Sequence, residues 1–326
     1  MDTKSTIIPV AGGKGGVGKS LVAANLSIAL AQLGHSTVVI DLDLGGSNLH
    51  LMLGRKNENR GIGDYLNHEG IRFEALCVQT EWPQLRFIPG DGTIPFLANI
   101  SYAGKQKIIR EIKKLNAKYI ILDLGAGTSL NTLDFFHIVN RGLLVTATNR
   151  VSVINMLAFL KNYLLRIIDR ELLKDIDARL HIQELFSRSA SQKRITIDSV
   201  IKELRSTDTE AAEKVGLICQ NTQPRIVHNL IHDLQDLQFA DIVKKSANSI
   251  LSLDPSHFGA VFADRSVPDS IREGVPLLQF NRESIAAQCI FSLASEIVLF
   301  WDGKLENTEQ ILKRKAAELY GTLHTA

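Results

Sequence analysis

The chain reads as an α/β protein built on a doubly wound, mostly parallel sheet flanked by helices, and three observations carry that reading. Apolar, β-branched runs alternate with helical patterns along most of the 326 residues. Most of those runs are apolar throughout rather than alternating, as strands covered on both faces must be. A glycine-rich loop, GGKGGVGKS over residues 12–20, joins the first run to the first helical pattern.

Taken in order, Ser5 to Ala11 (STIIPVA) predicts a short buried strand, and Leu21 to Leu33 predicts a helix closed by Gly34. Thr37 to Leu42 (TVVIDL) predicts a second buried strand that ends among carboxylates. A flexible loop over Leu44 to Asn48 and a short helix near Asn48 to Leu53 follow. Leu85 to Pro89 predicts a strand, with Gly90 to Gly92 turning at its end. Lys105 to Leu115 predicts a basic amphipathic helix whose Ile108, Ile109, Ile112 and Leu115 share one face, its lysines solvated. Tyr119 to Leu124 (YIILDL) predicts another buried strand, Gly125 to Ser129 a turn, Gly142 to Ala147 a strand, and Val151 to Ile168 a long helix.

From 169 to 214 the pattern is helical, charged and balanced in sign, which predicts a helical insertion broken by the small-residue loop Ser187 to Arg194. Strand signals return at Arg225 to Asn229 and His257 to Phe262, and helices at Val267 to Glu273, Ser284 to Phe300 and Asn307 to Leu319. The expectation is one domain over residues 1–326, with the insertion at 169–214 and a C-terminal helical tail at 303–326.

Composition narrows the function classes. With 45% hydrophobic and 22% charged residues the chain can bury a large core. A net charge of +2 gives no general attraction to nucleic acid or anionic lipid, so any such contact must be local. Cys77, Cys219 and Cys289 are far apart and form no CxxC pair, which argues against a disulfide framework and against a paired-cysteine metal site. With no signal sequence and no run of 18 apolar residues, the expected location is cytoplasmic, peripheral membrane contact being left open.

Gly13, Gly18, Lys19 and Ser20 satisfy the P-loop pattern of glycine, four residues, glycine, lysine, and serine or threonine. Glycines let consecutive backbone N–H groups turn inward around a phosphate, and the following helix adds its positive end. The nucleotide is therefore assigned to Gly13, Lys14, Gly15, Gly16, Val17, Gly18, Lys19, Ser20 and Leu21, in a P-loop NTPase architecture. Lys19 is placed to reach the β- and γ-phosphates, and the Ser20 hydroxyl to ligate Mg²⁺.

Asp123 closes an apolar strand about a hundred residues later, the position of a Walker B acid that holds Mg²⁺ through its water shell. Asp41 and Asp43, one residue apart, converge at the second strand's carboxyl end; Asp41 is assigned to the metal side and Asp43 to the attacking water. In the plainer alternative one of the two only caps the loop. Lys14 is surplus to a generic P-loop: across a two-fold interface it could reach the partner's nucleotide, and otherwise it is a solvated loop lysine. The HNLIH run lacks the glutamate of a zincin and begins in a predicted strand, which argues against metal at His228 and His232.

KGGVGKS with Lys14 resembles the deviant Walker A motif of the MinD and ParA ATPases, in which the early lysine contacts nucleotide across an ATP-sandwich dimer. VIDLDLGGSNL, with Asp41, Asp43 and Asn48, resembles their switch I, and YIILDLGAGTS, with Asp123 and Gly125, their Walker B and switch II. The likeness spans residues 5 to 150 and continues loosely to about 295.

It implies a Mg-ATP-dependent homodimeric switch that positions or counts a cellular structure and meets an activator or cargo protein. It also makes Asn229 a candidate for reading adenine. The DLGAGTS form and the insertion look closest to MinD-like proteins of the flagellar-number-regulator type, FlhG or FleN. That group usually opens with a DQAxxLR segment; this chain starts almost at the first strand, so regulation of a flagellar GTPase through such a segment is not expected. MinD-type membrane attachment would fall to Asn307 to Leu319, where Ile311, Leu312, Ala316 and Leu319 oppose Lys313, Arg314 and Lys315. DNA coating of the ParA kind would need a basic dimer surface, which net charge does not support. A metabolic ATP-dependent ligase related to dethiobiotin synthetase is the alternative class.

Overall fold

The computed structural model describes residues 5–90, 100–173, 175–188 and 196–324. Among these, eight strands form one sheet: β1 (Thr6–Ala11), β2 (Thr37–Leu42), β3 (Val78–Gln79), β4 (Leu85–Ile88), β5 (Tyr119–Leu124), β6 (Leu143–Ala147), β7 (Arg225–Ile231) and β8 (Ser256–Phe262). Their order is β3-β4-β2-β5-β1-β6-β7-β8, parallel throughout except where β3 pairs antiparallel to β4. This is the expected doubly wound fold with a short antiparallel edge.

The helices are α1 (Lys19–Gln32), α2 (Leu49–Met52), α3 (Ile62–Asn67), α4 (Tyr102–Ile112), α5 (Leu130–Phe136), α6 (Arg150–Glu171), α7 (Ile176–Arg188), α8 (Ile197–Thr207), α9 (Thr209–Asn221), α10 (Gln238–Leu251), α11 (Ser266–Glu273), α12 (Leu277–Phe280), α13 (Ile285–Phe300) and α14 (Thr308–His324). They divide between the two faces. On one, α4, α5, α6 and α8 to α10 bury Ile108, Phe136, Phe159, Leu204, Val215 and Val243 in a single core with sheet residues such as Ile40 and Ile226. On the other, α1, α13 and α14 bury Leu26, Ile290 and Ala316 against Val39, Ile121 and Val227. The strands are apolar on both sides because both sides are covered.

α1 is buried almost all round, which is why it lacks a polar stripe. Gly34 closes it at φ 87°, with Gly34 N–H bonding the Ala31 carbonyl and His35 N–H the Leu30 carbonyl, the left-handed cap expected of that glycine. α6 is long and apolar enough by composition to cross a membrane, yet half of that stretch is buried in the protein.

The helical segment after α6 differs from expectation in extent. It continues through α9 to Asn221 rather than stopping at 214, because α9 is itself the crossover that feeds β7. Val200, Leu204, Ala212 and Val215 join the main core, so α8 and α9 are continuous with the domain rather than a detached module. The predicted loop Ser187 to Arg194 lies outside the described residues from 189 onward, as does the turn after Gly90.

The tail forms α14, which lies along edge strand β8. Leu312 and Ala316 are buried against the domain, Leu319 and Tyr320 pack on the same core, and Lys313 pairs with Asp241 at 2.6 Å. Lys315 pairs with Glu296, and Lys244 with Glu309 at 2.9 Å. Of the apolar face that membrane attachment would use, Leu312, Ala316 and Leu319 pack on the domain, whereas Ile311 stays 37% exposed.

Candidate nucleotide site

The P-loop bridges the carboxyl end of β1 and the first turn of α1. Gly16 at φ 78° and Gly18 at φ 87° occupy left-handed backbone that side-chain-bearing residues avoid. A Cβ on Gly15 or Gly16 would meet nothing within 4 Å, so the loop's mouth is open at these positions. At Gly13 the structure shows a packing requirement as well. A Cβ there would lie 2.3 Å from the Asn155 carbonyl, so this glycine lets the loop rest on the backbone of α6. Gly18 likewise admits a neighbour, since its Cβ would stand 2.2 Å from Nδ2 of Asn229.

The carboxylates converge as the strand ends predict. Asp41 and Asp123 are register partners on adjacent strands β2 and β5. Asp41 is fully buried, accepting hydrogen bonds from the Ser47 hydroxyl at 2.5 Å, the Leu49 N–H at 3.1 Å and the Asp43 N–H at 3.0 Å. Burial nonetheless pushes its carboxyl up to about 6. Asp43 lies just beyond β2, and its Oδ1 would stand 3.1 Å from a Cβ on Gly125, at the end of β5. Closing the ring, Gly127 N–H bonds the Gly12 carbonyl at 3.2 Å.

Asp123 carries the strongest electrostatic signature. Burial pushes its carboxyl up to about 8, the Asp41 charge adds to the effect, and the Ser20 hydrogen bond and the Lys19 charge only partly offset it. Its Oδ1 is buried with no hydrogen-bond partner. An orphaned carboxylate oxygen beside a second buried carboxylate and a serine hydroxyl is a donor set that suits a hard divalent cation, so these residues fit Mg²⁺.

Lys19 is 7% exposed, stretched under the loop with its stem near Gly12. Leu21 faces the core and contributes packing. Lys14 is half-buried at the mouth and makes no hydrogen bond or ion pair among the described residues. Asn229, at the carboxyl end of β7, donates Nδ2 to the Val17 carbonyl at 2.8 Å.

Three supports of the site escaped the sequence reading. They are the α6 backbone under Gly13, the Ser47 hydroxyl on Asp41, and Gly90, whose Cβ would crowd the Asp41 carbonyl at 2.8 Å. A hydroxyl in the glycine loop after β2 was the available signal for Ser47; the other two come from tertiary approach alone. His228 and His257 stack as a buried pair with Nε2 and Nδ1 2.8 Å apart, and the His232 N–H bonds Asp236.

The glycine cradle, buried lysine, helix N-terminus and strand-end acids define a P-loop nucleotide-binding protein. The ParA family model, described as the NUBPL iron-transfer P-loop NTPase, matches residues 3–165. The chain belongs to the ParA family of P-loop NTPases.

Among similar proteins, the septum site-determining protein MinD of Escherichia coli K12 is 32% identical over 143 residues, covering 43% of this chain and 52% of MinD. The antiactivator FleN of Pseudomonas aeruginosa is 32% identical over 159 residues, 48% of this chain and 55% of FleN. The chain thus spans about half the length of the curated relatives it matches. MinD of Pyrococcus horikoshii in complex with Mg-ADP superposes with TM-score 0.59 at 19% identity, covering 91% of this chain and 98% of that one. The ATP complex of a Cyanothece McdA variant superposes with TM-score 0.59 at 14% identity, over 93% and 99% of the two chains. At these identities the superpositions establish the shared fold.

Proposed function

We propose that this protein is a Mg-ATP-binding and ATP-hydrolysing dimeric switch of the MinD and ParA type, working in the spatial positioning or number control of a cellular structure. The carrying observation is Lys14, a cation at the open mouth of the cradle with no partner among the described residues, beside a complete metal-side set of Ser20, Asp41 and Asp123. Names of the similar proteins, septum site-determining MinD and antiactivator FleN, support the positioning role. The family relation does not favour the metabolic-ligase alternative.

Each residue has a task. The P-loop N–H groups and Lys19 neutralise the phosphates. Ser20, Asp41 and Asp123 would hold Mg²⁺, which would supply positive charge against the phosphates. Asp43, outside the strand and facing Gly125, orients the attacking water. Lys14 reaches the nucleotide of a second copy and completes its site. An activator or cargo protein reads the closed dimer, and membrane contact through α14 requires that helix to leave β8. A phosphate-release assay with Mg-ATP tests the reading. Slow turnover that Lys19→Ala removes, together with nucleotide binding, supports it; ATP binding without any turnover in the presence of a bound activator sinks it.

A further inference from the structure

The end of β7 departs from ordinary strand geometry at one place. Pairing between β7 and β8 slips between His228 and Ile231, and within that bulge Leu230 adopts a left-handed backbone at φ 58°. This region is disfavoured for a leucine, so neighbouring contacts must hold it there. One is the Thr148 hydroxyl, next to the end of β6, which donates to the Leu230 carbonyl at 3.3 Å. The residue before the turn is Asn229, register partner of Ala147 on β6 and itself only 2% exposed. Its Nδ2 donates to the Val17 carbonyl at 2.8 Å and stands where a Cβ of Gly18 would otherwise be.

Strain at the bulge, the buried amide and the missing side chain at Gly18 converge on a single contact between β7 and the phosphate loop. We propose that Asn229 is a positioning residue for the P-loop: it fixes the Val17–Gly18 peptide from behind, so that the loop's N–H groups face the phosphates before any nucleotide arrives. The bulge at Leu230 aims it. This inference rests on the nucleotide-site reading above and gives Asn229 a task in phosphate rather than base recognition.

The Val17 carbonyl is the only strong acceptor of its peptide, and once it is tied backwards to Asn229, the opposite edge of that peptide, the Gly18 N–H, is directed away from β7. A loop preorganised in this way binds any polyphosphate better, whatever base it carries. A base reader would instead change the preference among bases and leave inorganic polyphosphate alone.

The test measures dissociation constants of Mg-ATP, Mg-GTP and Mg-tripolyphosphate by calorimetry, on the full chain and on Asn229→Ala and Leu230→Val. Folded fraction is matched by circular dichroism. Losing one buried hydrogen bond to the loop should weaken all three ligands by the same factor, about tenfold, with the ATP-to-GTP ratio preserved. Leu230→Val, whose branched side chain disfavours the left-handed turn, should reproduce that uniform loss. It also keeps the test open should Asn229→Ala not fold. A changed ATP-to-GTP ratio with tripolyphosphate affinity intact would overturn the proposal, as would full affinity for all three in either variant. Failure of the wild-type chain to bind any of the three would instead sink the nucleotide-site reading itself.

Discussion

Replacing Asp134 should be among the most damaging single changes outside the nucleotide loop. This carboxylate, on α5 directly after the turn that faces Asp43, is 0% exposed and receives Lys105 from α4 at 2.5 Å. It also takes Arg166 at 2.9 Å and Arg170 at 3.4 Å from α6. Burial would raise its carboxyl, but the hydrogen bonds from Arg166 and Lys105 hold it below the usual value. Asp134→Ala removes the only carboxylate that pairs with Lys105 among the described residues, and the Lys105 side chain is 5% exposed. Arg166 and Arg170, at 22% and 27%, can turn to water and add little. Stranding one buried ammonium costs about 3–5 kcal/mol. With an unfolding entropy of about 2.1 cal/mol/K per residue, a chain of this length loses about 1.5 °C per kcal/mol, so the melting temperature should fall by about 4–7 °C. Differential scanning calorimetry reads this directly. The double variant Asp134→Ala, Lys105→Met should recover most of the loss, because no buried charge is then left alone. A single variant melting within about 1 °C of wild type, or a double variant below the single, would refute the reasoning.

Two further outcomes follow from the buried charges. Asp123→Asn removes a carboxyl whose folded value, about 8, lies far above its unfolded one, so folding takes up a proton there and stability falls as pH rises towards 8. At pH 8.5 the metal-free variant should therefore melt higher than wild type while losing its stabilisation by Mg-ATP; a lower melting temperature contradicts the buried-repulsion account. The His228 and His257 pair has the opposite sign: burial lowers both, His257 to about 4, so the unfolded chain binds protons first and stability is lost as pH falls from about 6.5 towards 4. At about 1.4 kcal/mol per unit, His257 alone contributes about 3 kcal/mol to that loss. Urea midpoints at pH 7 and pH 5 should differ strongly in wild type and by less in His257→Asn, where only His228 of the pair still titrates, and equal differences would count against the pair.

The sheet and the phosphate loop were legible because their signals are local. β1, β2 and β5 are continuous apolar runs, and the P-loop pattern sits between a strand and a helix that confirm it. α10 is weakly marked in the sequence although Ala240, Val243, Ala247 and Leu251 are spaced for one buried face. Its exposed lysines and serines dilute that stripe. α5 escaped because seven residues carry too few turns to show a period, and only the Ser129 cap, accepting from Thr132 N–H, marks it. Within the site, the carboxylates were readable from strand ends, whereas the contacts of Gly13 with α6 and of Gly18 with Asn229 were not. Those glycines look like phosphate ligands in sequence, and only tertiary approach shows that they admit protein. Asn229 enters only through the family resemblance, which implies base reading; its contact with Val17 is a tertiary approach that no local pattern announces.

The central claim is that Lys14 completes the site of a second copy, and light scattering on size-exclusion chromatography with Mg-ATP tests it most directly. Asp43→Ala, which keeps the phosphate loop and metal side but loses the carboxylate proposed to orient the water, should run as a long-lived dimer in ATP and as a monomer in ADP. Adding Lys14→Ala to that variant should return it to a monomer that still binds ATP. A double variant that stays dimeric in ATP would contradict the account.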